Sequence, residues 1–534
     1  MKRWNGWGDE NFHYHLPGSA IGFLKSKVGV GGVFKDAALK DVIAAVPESR
    51  IQPHPLVTAD PEERIRHARG QSLPDWVAMR SGEFHAFPDG VAYPANRQEV
   101  AELLQYASTN HIKVIPYGGG SSVLGHVNVR PQDGATLSVD MGRMNRFLDF
   151  DPESRLATFE AGILGPEMES LLNKRGYTLG HFPQSFEYSS LGGWLATRSC
   201  GQQCFYYGRI EELFAGGHME TLQGPMDLLP LPASAAGPDI RQLVLGSEGR
   251  LGVITDAIMR VRRLPEHEKF AAAFFPDYEH GIRAVRAMIN AGVGTSMLRI
   301  SDAQETDVTL ELSGKEKLVT TAKRLLSLFG IGPERCLVIY GITGDKRTAR
   351  FTRRRALQIF RSEKGFPLDF VIGDAWRKTR FTYAYLRNTL WELGYALDTL
   401  ETAMPWANVV AAQAAIKKAI REAGEAYGIQ PLVFSHLSHH YRDGSAIYVT
   451  YLWPRSQDPV RILEAWNRMK SAACETIVAH GGTISHQHGV GTDHLPYLEH
   501  EKSKIGMGWI GAVIDHADPD HILNPGKLMD LREG

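Results

Sequence analysis

The chain has 534 residues, 43% of them hydrophobic and 22% charged, with a formal net charge of −1. That length divides into two to four domains of ordinary globular composition. The near-zero charge supplies no global field for nucleic acid, and no apolar run of about 18 residues offers a bilayer span.

"MKRWNGWGDE" at the start lacks the apolar centre and small-residue cleavage site of a signal peptide. "MDLREG" at the end is no recognised address, so a cytoplasmic location is expected. Four cysteines are too few for a disulfide framework in a chain of this size. Cys200 and Cys204 have C-x3-C spacing, but no further Cys or His follows at zinc-ligand spacing, so reduced, partly buried thiols are expected.

In chain order, residues 1–85 read as an irregular or helical segment rich in Trp, His, Gly and Pro. Residues 86–266 start a regular α/β pattern. Asn96 caps a helix, Glu99 stands three residues on, and Val100, Leu103, Leu104 and Ala107 recur at helical spacing. "KVIPY" is a short strand leading into glycines, "ATLSVDM" and "RLATFEAGI" are further strands, and "GPEMESLLNKRG" is a short helix. "LGVITDAIMRVRRLP" closes this part as a strand pair. Residues 267–470 alternate apolar strands ("KFAAAFFP", "AIYVTYLW") with amphipathic helices and carry the basic run 346–364. Residues 471–534 begin helical, then carry "GGTISHQHGVG" and "HILNPGKL", and read as a return to the first domain.

"PYGGGSSVLGH" (116–126) follows a strand, and its glycines permit close backbone approach to a ligand. It is neither a GxGxxG nor a Walker sequence, so a tight turn and a phosphate nest remain equal readings. The pair His486 and His488 leaves metal ligation, acid/base chemistry and packing open.

Three further segments bear on the glycine loop: "HFPQSFEYSSLGGWLATRSCGQ" (181–202), "LGSEGRLGVIT" (245–255) and "HILNPGKL" (521–528). With it they resemble the FAD-binding flavoproteins of the vanillyl-alcohol-oxidase type, over roughly 85–265 and 475–534. The resemblance implies an α+β fold in which a two-part FAD-binding domain carries an α/β cap over the substrate. It places Pro116, Tyr117, Gly118, Gly119, Gly120, Ser121 and Ser122 around the FAD pyrophosphate. It also places Gln184, Ser185, Ser189, Ser190, Gly192 and Gly193 against the cofactor, with Ala196, Thr197 and Ser199. Glu248, Gly249, Leu251, Gly252, Val253 and Ile254 complete the set. Relatives with covalent flavin carry a loop histidine; the loop here reads GGGSS, so FAD is expected to be non-covalent.

The GNLH-type metal segment of the 2-hydroxy-acid dehydrogenases in this family is not found. "FSHLSHHYRDGSAIYVTYLWP" (434–454) stands in its place. This segment resembles the alkyldihydroxyacetonephosphate synthases, as do "KRWNGWG", "GHFPQSFEYSSLGGW", "YLRN" (385–388), "ETAMPW" (401–406) and the HQHGVG stretch. That resemblance implies exchange of the acyl group of acyl-dihydroxyacetone phosphate for a long-chain alcohol, with no net redox change and flavin N5 as a covalent trap. The alternative is oxidation of a hydroxylated substrate such as a 2-hydroxy acid.

By the same resemblance Tyr448 is the proton donor/acceptor, Arg387 binds substrate and Arg299 supports activity. A tyrosine with an ordinary pKa of about 10 is a poor base, so cationic neighbours are expected beside Tyr448. His486 and His488, two apart in an extended segment, would both face the flavin and act in acid/base or phosphate contact. The family has three consecutive histidines where this chain has Gln487 in the middle. Gln184 and Arg250 also depart from the usual residues. His436, His439 and His440 are expected to be solvated or hydrogen-bonded, and no metal is expected. Lipid-derived substrates, a homodimer and peripheral membrane contact through 346–364 complete the expectations.

Overall fold

The computed structural model describes residues 1–368 and 370–530; the last four residues, part of the "MDLREG" end, lie outside it. Local signals start the first sheet. Asn96 Oδ1 accepts the Glu99 N–H at 3.0 Å, and Glu99 Oε2 accepts the Ala95 N–H at 2.7 Å, so the helix Arg97–Thr109 begins with one first-turn donor capped and the chain before it pinned. Its buried stripe Val100, Leu103, Leu104 and Ala107 covers a four-stranded sheet. The order there is Val57–Thr58, Gly90–Ala92, Thr136–Asp140, Lys113–Tyr117, the last three parallel. A five-stranded antiparallel sheet follows, in the order Phe147–Asp151, Leu156–Glu160, Val253–Arg260, Phe214–Thr221, Gly224–Leu228.

The second large unit is a seven-stranded antiparallel sheet. Its order is Phe366–Leu368, His267–Phe275, Cys336–Gly344, Thr295–Ser301, Leu432–His440, Gly444–Pro454, Tyr395–Pro405. Its two faces follow from the period of two along a strand. Ala271, Ala273 and Phe275 join Leu298, Ile300, Ile447 and Val449 in a core covered by the helices Tyr278–Asn290, Lys346–Ser362, Trp406–Ala426 and Pro459–Ala479. Phe270, Ala272 and Phe274 point the other way, with Met297, Leu337 and Ile339, toward Leu326 and Trp376. A large cavity opens on that second face. Together the sheets and helices form the α+β architecture, and no helix among the described residues is long and apolar enough to cross a membrane.

The chain ends are tied into this frame. Trp7 N–H donates to Asn388 Oδ1 at 3.1 Å, and Asn388 Nδ2 donates to Trp7 O at 2.9 Å. After the helix Leu498–Ala517, the backbone at 522–524 pairs with Val114 beside the glycine loop: Val114 N–H donates to Ile522 O and Asn524 N–H to Val114 O, both at 2.7 Å. Asn524 Nδ2 also donates to Glu248 O at 2.7 Å and His126 O at 3.1 Å. Asn524→Ala leaves both buried carbonyls without that donor. A loss of about 2 kcal/mol is expected, read as a lower denaturant midpoint for the transition that includes the glycine loop.

Candidate active site

The glycine loop is shaped by what it touches. A Cβ on Gly119 would sit 1.5 Å from Tyr188 O and one on Gly118 2.1 Å from Ser190 Oγ, while Gly120 has φ +63°. The loop therefore lies flat on the segment 188–190, which opens the helix Leu191–Thr197 with Ser190 Oγ accepting the Gly193 N–H. Gly249 (φ +78°) brings the third segment against Pro116. The hinge of this assembly is Glu248. Its carboxylate accepts the Val490 and Gly491 N–H groups at 2.5 and 2.9 Å and lies 3.0 Å from His126 Nε2. His126 Nδ1 in turn meets Ser122 Oγ at 2.6 Å.

The cavity has a volume of about 940 Å³ and runs from these loops to the second face of the seven-stranded sheet. All of the expected cofactor residues line it except Leu251. Leu251 is instead buried among Leu213, Leu245 and Ile514, because the side chain next to Gly252 turns into the apolar cluster behind the turn. The residues present fit FAD: three glycines in a turn beside Ser121 and Ser122 make an anion nest, and the cavity continues from the three glycine segments into extra room. That extra room is walled by Met297, Leu318, Leu326, Ile339 and Ile372 on one side and by Phe23, Leu24, Leu390 and Phe434 on another.

On the sheet face, Tyr448 stands opposite His436 and Glu401 in the strand register. The His436 ring stacks on Tyr448 at 4.9 Å, and the His488 ring meets it edge-on at 6.0 Å. Arg299 makes a short ion pair with Glu305, and its Nη2 lies 3.2 Å from His436 Nδ1, which is itself 3.0 Å from Glu305 Oε1. Burial pushes the Glu305 carboxyl up, but His436 and Arg299 outweigh it and hold it at about 2. Burial together with Arg299 lowers His436, so we assign the counter-charge to Arg299. Tyr448 departs from expectation: Arg299 is the cationic neighbour, but burial, Glu401 and Asp398 push the phenol up to about 12. It rests protonated. Arg387 has Nη1 on Gln71 O and its plane 4.5 Å from the Trp76 ring centre, while Nη2 is buried without a protein partner.

The two histidines part company. The segment 484–488 is a bend rather than a strand, because the N–H groups of His486, Gln487 and His488 all converge on the Glu401 carboxylate at 2.8–3.0 Å. Gln487 and His488 line the large cavity; His486 does not. It sits in a second cavity, with Tyr441 OH at 2.6 Å and Arg209 Nη1 at 2.7 Å from Nε2. Its expected place at the flavin is thus corrected. Of the histidines of 434–440, His439 and His440 are buried, and they are hydrogen-bonded rather than solvated: His440 Nδ1 meets Ser445 Oγ at 3.0 Å, and His439 lies between Cys200 and Cys204. All four cysteines are free, and three are buried. Glu401, Glu305 and Gln71 are site residues that sequence reasoning missed, although Glu401 opens the quoted "ETAMPW".

A family model described as an FAD binding domain matches residues 88–224, and one described as the C-terminal domain of FAD linked oxidases matches 264–528. The alkyldihydroxyacetonephosphate synthase of Dictyostelium discoideum is 30% identical over 99% of this chain and 93% of its own. That of Trypanosoma brucei brucei is 27% identical over 99% and 92%. A solved alkyldihydroxyacetonephosphate synthase superposes with a TM-score of 0.84 at 28% identity, covering 99% of each chain.

Glu305→Gln leaves the Arg299 guanidinium without its carboxylate, at a cost on the order of 3 kcal/mol near neutral pH. The wild-type carboxyl contributes stability above its ordinary value of 4.5 and loses it as pH falls toward about 2. The gap between wild type and variant, read from unfolding midpoints across that range, is therefore expected to close on acidification.

Proposed function

The chain belongs to the alkyldihydroxyacetonephosphate synthase family, and we propose that it exchanges the acyl group of acyl-dihydroxyacetone phosphate for a long-chain fatty alcohol without net redox change. It binds FAD, which we take to be held non-covalently by the segments 116–122, 184–199 and 248–254. Bound there, FAD supplies the electrophilic centre of the exchange. We also propose the four-part division 1–85, 86–266, 267–470 and 471–534.

One observation carries the reading. Tyr448, Arg299 and the unpartnered Nη2 of Arg387 border the same cavity as the flavin segments and two apolar arms. An alkyl-chain substrate with a phosphate head needs that combination. Arg387 would grip the phosphate through Nη2, the edge of its guanidinium left without a protein partner. Protonated Tyr448 would donate to the departing carboxylate oxygen and take the proton back from the incoming alcohol. His488, held neutral by burial, would accept the C–H proton beside the carbonyl and return a proton to that carbon as the ether forms. Arg299, fixed by Glu305 and His436, would keep positive potential behind the Tyr448 ring. Oxidation of a hydroxylated substrate has less support, since the relatives that match nearly the whole chain are synthases.

Anaerobic incubation of the yellow protein with acyl-dihydroxyacetone phosphate and a fatty alcohol should release free fatty acid and yield the ether product. Tyr448→Phe removes one hydroxyl and little volume. It should retain FAD and fold while exchange falls by at least ~100-fold; a loss under about threefold would remove Tyr448 from proton transfer.

The substrates partition into lipid, and Leu318, Leu325 and Val371 are exposed where they border the cavity. The helix Lys346–Ser362 presents Arg353 and Arg354 outward near this rim, with Arg353 over the Phe370 ring at 5.4 Å. We take this rim as the membrane-facing side, each surface cation contributing about 1 kcal/mol on anionic lipid. Co-sedimentation with anionic vesicles should be strong at low salt and fade as salt rises. Replacing Arg353, Arg354 and Arg355 by Ser should weaken it while sparing turnover of a short-chain soluble substrate. Binding indifferent to both changes would exclude the helix as the docking element.

A further inference from the structure

Behind the wall of the large cavity, four soft donors from distant parts of the chain meet. Cys200 and Cys204 come from the flavin-binding part, His439 from the cap strand Leu432–His440, and His486 from the tail. Cys200 Sγ lies 3.5 Å and Cys204 Sγ 3.0 Å from His439 Nδ1. The His439 and His486 rings stack at 5.0 Å. One donor atom each from Cys200, His439 and His486 falls within 4.8 Å of the others, and all three residues are buried. A second observation is independent of that clustering: His486 Nδ1 is buried and has no hydrogen-bond partner.

We propose that Cys200, Cys204, His439 and His486 form a binding site for one thiophilic divalent cation of the zinc class. Zinc bonds of about 2.3 Å to sulfur and about 2.0–2.1 Å to nitrogen separate tetrahedral ligands by some 3.3–3.8 Å. Donor atoms of Cys200, His439 and His486 lie within 4.8 Å of one another and Cys204 Sγ lies 3.0 Å from His439 Nδ1, so metal binding would draw the four donors closer to that spacing. Two thiols and two imidazoles suit a soft or borderline metal and not calcium or magnesium. With four protein ligands the site is closed, so its role is structural. Binding releases both thiol protons to solvent and leaves a neutral metal–dithiolate centre.

The surroundings are consistent with this role. As the ring stands, His486 Nε2 accepts from Arg209 Nη1 at 2.7 Å and meets Tyr441 OH at 2.6 Å. Ligation through Nδ1 puts the ring proton on Nε2, so Arg209 Nη1 must swing off it while Nε2–H donates to Tyr441 OH. Arg209 then keeps His486 O and Tyr441 OH, both at 3.0 Å, and Glu211 at 2.5 Å. Such outer partners fix the ring and its tautomer. The metal would clamp flavin domain, cap and tail together. Because Cys200 and His439 also border the large cavity, it would set the position of that wall. The site goes beyond the proposed exchange reaction and does not depend on it.

The test uses the full-length FAD-loaded protein, stripped of metal by a chelator under reducing conditions and titrated with Co²⁺. The expected result is one Co²⁺ per chain, with a thiolate-to-cobalt charge-transfer band and tetrahedral visible bands in the difference spectrum, both displaced by one equivalent of Zn²⁺. Cys200→Ser and His439→Asn should each weaken binding at least ~10-fold. A variant-free readout runs alongside: Zn²⁺ should slow alkylation of Cys200 and Cys204, followed by peptide mass. Absence of the charge-transfer band overturns the proposal. So does a band that survives loss of both thiols, alkylation indifferent to Zn²⁺, or a Cys200–Cys204 disulfide as the only modification of the pair.

Discussion

Two buried carboxylates hold the segment 485–491 by its backbone, one from each side. Glu401, on the cap strand, takes the N–H groups of His486, Gln487 and His488. Glu248, in the flavin-domain turn, takes those of Val490 and Gly491. A segment with no regular structure must find partners for its buried donors, and an ionised carboxylate is a strong acceptor for several at once. The result decides which side chains reach the cavity. It also links cap, tail and flavin domain, because Glu248 reaches Ser122 of the glycine loop through His126.

The cap sheet solves a separate problem, that of placing charged groups in an apolar wall. Along each strand one face belongs to the helix-covered core, so Leu298, Ile300, Ile447 and Val449 fix the register. The alternate positions Arg299, His436 and Tyr448 are then held at the cavity by packing that none of them supplies. Because Arg299 and Glu305 neutralise each other beside His436, burying this group does not leave an uncompensated charge.

The α+β fold was legible because its signals are local: the Asn96 cap, the period-two strands, and glycines where the backbone comes within bonding distance of another segment. Cavity-lining residues were read well for the same reason, since Gly118, Gly119 and Gly249 can tolerate no side chain where they stand. The failures are long-range. His486 was placed beside His488 on the assumption of an extended segment, and only Glu401, 85 residues earlier, bends it. The Cys200–Cys204 pair looked isolated because His439 stands more than 200 residues away in the sequence. Tyr448 was expected to feel cations; its nearest charges include Glu401 and Asp398, which arrive on the neighbouring strand.

The contact between Trp7 and Asn388 spans 381 residues, and this fixes an order of events during synthesis. Trp7 cannot reach its partner until the ribosome has passed the cap helix Leu386–Glu392. Until then Trp4 and Trp7 of "KRWNGWG" lack the apolar cluster they join in the folded chain. Its Lys2 also covers the glycine loop, donating to Gly119 O at 2.6 Å. The segment 2–7 therefore docks only after both the glycine loop and the cap helix have been made, and it closes over a loop already in place.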